Sequence, residues 1–149
     1  MDIVISYKIR ALEEALKEDS KAAEAFKREI IESGTPIIEE VEGYNRFVWV
    51  THLYFSQEDH SNIVVHEDHI TFNYERAELT RISGTDIWYK TTIVPYGQTV
   101  NYGFVIDDSL KVTCTDRLGK VVLDPNNKEA AVVEGTLLSV VKVPQKTSE

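Results

Sequence analysis

The densest group of side chains able to do chemistry lies between positions 58 and 69. Glu58-Asp59-His60 is followed by His66-Glu67-Asp68-His69, which sets three imidazoles and four carboxylates close together. These are donor types that divalent metals accept. A metal site also needs ligand count, geometry and a second shell at once. The spacing works against it, because His66 and His69 fall on opposite faces of a strand. A loop or a helical turn would suit them better. The plainer reading is a solvated loop and hairpin rim, and neither a metal nor another cofactor is expected.

Nucleophiles are scarcer. A serine hydrolase of the α/β type carries its serine on a sharp turn with a glycine two residues to either side. No serine here meets that pattern: Ser83 precedes Gly84 but has Arg81 two positions before it. The single cysteine, Cys114, can form no internal disulfide. It lies in a β-like run and reads as a small buried residue. Glycine-rich phosphate loops are absent. This chain alone is therefore not expected to be an enzyme. Its aromatics, Trp49, Trp88, Tyr54, Tyr89, Tyr96 and Tyr102, are spread over strands and turns. Exposed rings of this kind stack on sugars or catecholates, and buried ones fill a core. The regular alternation around both tryptophans favours the core.

The elements that must position these groups show two periods. Ile9, Leu12 and Leu16, then Ala23, Phe26 and Ile30, recur at three- and four-residue spacing. That spacing predicts helices near 7–17 and 21–33. Ser20 is the expected N-cap of the second, and Gly34 with Pro36 its stop. Glu13, Glu14, Lys17, Lys21, Glu24 and Lys27 are expected on solvated faces. After Pro36 the pattern becomes β-like. Residues 47–55 are apolar on both faces, which suits a central strand covered on both sides or one packed under the helices. Further runs are expected at 63–65, 69–74, 79–82, 87–94, 99–106, 111–115, 120–123 and 137–143. Turn residues punctuate them at 83–84, 95–97, 107–109 and 124–127. Short strands at such spacing predict an antiparallel β-sandwich.

With 149 residues the chain fits one domain with one core. The reading divides it into a helical segment at 1–35 packing on the sandwich, the sandwich at 36–144, and a linker or tail at 145–149. Sixteen basic residues against 25 acidic ones give a net charge of −9, a poor match to a phosphate backbone. No nucleic-acid partner is expected. No apolar run approaches the roughly 20 residues that a membrane helix needs. Met1-Asp2-Ile3-Val4-Ile5 lacks the marks of a secretory leader, so a cytoplasmic location is expected.

Several segments together carry a resemblance. They are Gly34-Thr35-Pro36-Ile37-Ile38-Glu39, Val50-Thr51-His52-Leu53-Tyr54, Leu79-Thr80-Arg81-Ile82-Ser83-Gly84-Thr85-Asp86-Ile87-Trp88-Tyr89, Val94-Pro95, Tyr102-Gly103-Phe104 and Asp124-Pro125-Asn126-Asn127. Their order and spacing resemble the N-terminal domain of the enterochelin (enterobactin) esterase family, from about Phe26 to Pro144. The resemblance implies an early-set immunoglobulin-like sandwich preceded by one or two helices and related to the modules that precede glycogen-branching enzymes. In that family an α/β-hydrolase domain follows. It opens the trilactone of ferric catecholate siderophores in the cytoplasm and so releases iron. The family has an aromatic where His52 stands and an arginine where Phe55 stands, and its Asp-Pro turn continues differently from Asn126-Asn127.

Three readings of function follow. The leading one is a non-catalytic accessory domain that completes the cleft of a hydrolase domain supplied in cis or in trans, with a ferric catecholate siderophore as ligand. Its ligand- or domain-facing residues are expected among His52, Tyr54, Arg81, Trp88 and Tyr89. The second is a carbohydrate-binding module using Trp49, Trp88 or Tyr96 as a platform. The third is an interaction domain that forms a homo-oligomer through an uncovered apolar surface.

Overall fold

The computed structural model describes residues 6–67, 77–108 and 120–146. The runs expected at 69–74 and 111–115, together with His69 and Cys114, lie outside the described residues. Two helices come first, α1 (Tyr7–Leu16) and α2 (Ala22–Ser33). Ser6 caps α1: its hydroxyl accepts the free N–H groups of Lys8 at 3.1 Å and Ile9 at 3.3 Å. The expected cap of α2 is corrected. Lys21 occupies the N-cap position without a side-chain bond. Asp19 serves the same purpose one step earlier, accepting the Lys21 N–H at 2.9 Å. Gly34 ends α2 as expected, with φ at +88° and its N–H on the Ile30 carbonyl.

Among the described residues eight strands follow: β1 (Ile37–Glu40), β2 (Phe47–Phe55), β3 (Ile63–Glu67), β4 (Thr80–Arg81), β5 (Ile87–Pro95), β6 (Thr99–Ile106), β7 (Ala130–Val133) and β8 (Thr136–Lys142). They form two four-stranded sheets in the orders β1-β2-β5-β4 and β3-β6-β8-β7, and every pairing is antiparallel. This is the antiparallel sandwich that the sequence predicts. Among the described residues, the run expected at 120–123 reduces to a bridge between Val122 and Phe104. β1 and β7 are additions at the sheet edges.

The double-sided character of β2 has a direct cause. Val48 and Val50 face the second sheet and pack with Val65, Trp88, Val94, Tyr102 and Phe104. Leu53, of opposite parity, packs with Ile9, Leu12, Phe26, Ile30 and Ile87 under the helices. The fold therefore has three layers: helix pair, first sheet, second sheet. Each fully buried Leu, Ile or Phe contributes roughly 1.5–3 kcal/mol. Among the described residues, no helix is long and apolar enough to cross a membrane.

Two of the motifs that carry the family resemblance touch each other. Thr35 donates its backbone N–H to the Asn126 carbonyl at 3.1 Å and its hydroxyl to Asp124 at 2.5 Å. The buried Asp124 carboxylate also accepts the Tyr102 hydroxyl at 2.7 Å. Its own N–H reaches Ser139 Oγ at 2.9 Å, and Asn127 donates to the Val140 carbonyl at 3.0 Å. The 124–127 turn thus ties the α2–β1 connection to β6 and β8 of the second sheet.

Candidate functional site

The strand period of β2 sends His52 and Tyr54 inward, and that of β5 does the same for Trp88. β2 ends at Phe55 opposite Ile87, so the β2–β3 loop and the β4–β5 turn meet at one end of the sandwich. Ser56 fastens them, with its N–H on the Asp86 carbonyl at 2.8 Å. Trp88, only 7% exposed, donates its indole N–H to the Ser56 carbonyl at 3.3 Å.

Arg81 closes over this indole, its guanidinium carbon 5.5 Å from the ring centroid. The guanidinium also donates to the Thr85 carbonyl at 2.8 Å and to Asp59 at 2.9 Å. On the Gly84-Thr85-Asp86 turn, the Thr85 hydroxyl bonds the Ile82 carbonyl at 2.8 Å and accepts the Ile87 N–H at 3.1 Å. That geometry presents Arg81 and Asp86 at the end of the sheet.

His60 also lies beside this indole, its ring centroid 6.0 Å from that of Trp88. Its Nε2 is 2.8 Å from the Ser56 hydroxyl, and its Nδ1 is 3.7 Å from the Asp107 carboxylate. This serine–imidazole–carboxylate line braces the loop. The carboxylate gap exceeds hydrogen-bond length, and the Ser56 oxygen also accepts the Glu58 N–H at 3.3 Å. Asp107 sits at φ +55°. Bonds from the Ser61 N–H and hydroxyl hold its carboxyl below the usual range, with a smaller contribution from the His60 charge.

A cleft of about 720 Å³ opens beside this cluster, walled by the α2 residue Glu24 and by Gln57, Arg81, Thr85 and Asp86. Lys27 of α2 spans its edge, 2.8 Å from Asp86 and 3.0 Å from Glu24. Burial lowers the Lys27 pKa, but the bonds to Asp86 and Glu24 outweigh it and leave the ammonium held above its ordinary value. Lys27 is thus corrected from a solvated face to a partly buried tie between the helix layer and the β4–β5 turn.

The five residues expected at the surface take different places. Tyr54, Arg81 and Trp88 converge on this end of the sandwich. Tyr54 packs against Phe104 with centroids 5.3 Å apart, and burial, then the Glu58 charge, push its hydroxyl pKa up. His52 lies deeper, its side chain fully buried, with Nε2 2.7 Å from Glu67 Oε2. Tyr89 faces the helix layer, where burial and then the Glu13 charge raise its pKa. The cluster also contains Ser56, His60 and Asp107. No spacing rule connects residue 60 with residue 107, and only the pairing of β3 with β6 brings them together.

The imidazole–carboxylate run is a solvated rim only in part: Glu58 and Asp59 are exposed as expected, and His60, His66 and Glu67 are not. His60 stands in the loop, while His66 and Glu67 are buried on opposite faces of β3. Among the described residues, no group of three or more His, Cys, Asp or Glu could hold a metal ion. The three rings considered as a glycan platform are also separated. Trp88 is interior, and Trp49 stacks on Tyr7 at 5.0 Å on the outer face of the first sheet. Tyr96 packs at the far end of the core.

The chain matches no protein-family model and no curated protein sequence. Solved structures do match. The ferric enterobactin esterase of Salmonella typhimurium superposes with a TM-score of 0.66 at 18% identity, over 84% of this chain and 37% of its own. The enterobactin esterase of Shigella flexneri, solved in the presence of 2,3-dihydroxy-N-benzoyl-serine, gives a TM-score of 0.63 at 19% identity over 84% and 36%. The same esterase in the presence of enterobactin gives 0.60 at 20% over 77% and 34%. This chain shares the fold of one part of these esterases and spans about a third of their length. The sequence resemblance and the fold point to the same proteins.

Proposed function

From the fold shared with one part of the enterobactin esterases, we propose that this chain is a non-catalytic accessory domain acting with an α/β-hydrolase domain, in cis or in trans, in cytoplasmic hydrolysis of a ferric catecholate siderophore. The observation that carries the proposal is the superposition over 84% of this chain on 37% of an esterase. The hydrolytic machinery is assigned to the remainder of such a protein. In agreement, this sequence has no Gly-x-Ser-x-Gly turn. The end of the sandwich carrying Tyr54, Arg81 and Trp88 is the face assigned to the ligand or the hydrolase. Arg81 there lies over the Trp88 ring and lines the open cleft, while Trp88 and Tyr54 pack into the core.

The test is hydrolysis of ferric enterobactin followed by chromatography of the released dihydroxybenzoyl-serine. The purified chain alone is expected to release none. Added to an enterobactin esterase from which its own matching part has been removed, the chain is expected to raise turnover. Arg81→Ala is expected to lose that gain while keeping the fold. Turnover by the pure chain rejects the proposal, and so does a truncated esterase indifferent to its addition.

A further inference from the structure

The opposite end of the sandwich holds a second cleft, of about 610 Å³, between the β1–β2 loop and the β5–β6 turn. Glu40, Glu42, Tyr44, Tyr96 and Lys146 line it. Its walls are fixed by backbone bonds. The Tyr44 N–H reaches the Val41 carbonyl at 3.0 Å, and the Tyr96 N–H reaches the Arg46 carbonyl at 3.1 Å. The chain after β8 is laid against the same turn. Val143 donates to the Gln98 carbonyl at 2.9 Å, and Gly97 donates to the Pro144 carbonyl at 3.0 Å. Gln145 then fills the space beside Gly97 that a side chain there would occupy.

This path delivers Lys146 into the cleft, with its ammonium 5.4 Å from the Tyr96 ring centroid. An ammonium over an aromatic face, with carboxylates nearby, is how proteins hold organic cations. Here two carboxylates, two phenol rings and a single ammonium line the cleft, so its charged lining is negative in excess. Burial, then the charge of Glu40 and a hydrogen bond to it, raise the Tyr96 pKa.

We propose that this cleft is a binding site for an alkylammonium group, such as a lysine side chain of a partner, and that Lys146 is its resident occupant. An incoming ammonium must displace Lys146, so the segment after β8 competes with the ligand. The site is remote from Arg81 and Trp88, at the other end of β5.

The experiment is a titration of the ¹⁵N-labelled chain with N-acetyl-lysine methylamide at constant ionic strength, read by amide chemical shifts. N-acetyl-norleucine methylamide is the uncharged control, and tetramethylammonium the probe for a free small cation. Saturable shifts at Gly43, Tyr44 and Gly97 are expected with the lysine compound and not with the norleucine one. Removing the competitor with Lys146→Ala is expected to tighten binding about two- to fivefold, the range for an exposed cation–π contact. Tyr44→Ala and Glu40→Gln are expected to weaken it. All three residues are exposed, and an unchanged far-UV spectrum verifies the fold. Equal shifts with norleucine overturn the proposal, as does an affinity unmoved by Lys146→Ala. Binding of tetramethylammonium alone narrows the site to small free cations and overturns the lysine assignment.

Discussion

His52 and Glu67 meet between the two sheets at 2.7 Å, and both side chains are fully buried. Tyr102 and Phe104 close around the imidazole at centroid distances of 4.5 Å and 6.3 Å. A buried pair of this kind is expensive to break, because the survivor keeps a charge or polar group without its partner. His52→Ala is therefore expected to lower unfolding free energy by about 3–5 kcal/mol, and replacing both residues with leucine by much less. Urea unfolding of the three proteins checks this. Tyr102 supplies a second prediction. Burial, then the adjacent Asp124 charge, raise its pKa far above the ordinary phenol value. Its contribution is complete below the unfolded phenol pKa of about 10 and is lost as pH rises beyond it, where the unfolded chain ionises first. Tyr102→Phe is expected to flatten that alkaline loss. Urea midpoints taken between about pH 8 and about pH 11 test it.

At the scale of elements, two glycine and cap positions decide local geometry. A Cβ on Gly103 of β6 would lie 2.3 Å from Val121 Cγ1 and 2.9 Å from the Val122 carbonyl oxygen. The second contact is backbone, so Gly103→Ala must push the 121–122 segment away. A cost of about 1–3 kcal/mol is expected, the range for overpacking. Ser6→Ala removes the acceptor for two free N–H groups of α1 and is expected to cost about 1 kcal/mol. Thermal unfolding reads both. The long strands were legible as β-like runs of up to nine residues bounded by turn residues, β2 among them although both of its faces are apolar. β1 and β7 were not. Ile37-Ile38-Glu39-Glu40 and Ala130-Ala131-Val132-Val133 are four residues each and lack alternation. They become strands because β2 and β8 offer them an unpaired edge. The Ser20 cap failed for a related reason: Asp19, one residue earlier, takes the Lys21 N–H instead.

For the whole molecule, the helix pair belongs to the same packed body as the sandwich. Ile30 of α2 is fully buried against Leu53 and Ile87 of the first sheet. Ile30→Ala is expected to cost about 2–5 kcal/mol. One transition is expected, with far-UV dichroism and tryptophan fluorescence coincident, because no layer has a core of its own to keep. Two separated transitions would show that the helices dock independently. The sequence alone determined the helix pair, the two-faced β2, the antiparallel sandwich and the resemblance to the enterobactin esterases. Each is written in the periodicity or order of neighbouring residues. Tertiary structure alone decided that Glu67 faces His52, that Thr35 meets Asp124, and that His60 comes beside Asp107 at the end carrying Arg81 and Trp88. The physical reason is that such contacts arise where sheets stack and loops converge, and no local period records which distant segments will be brought together.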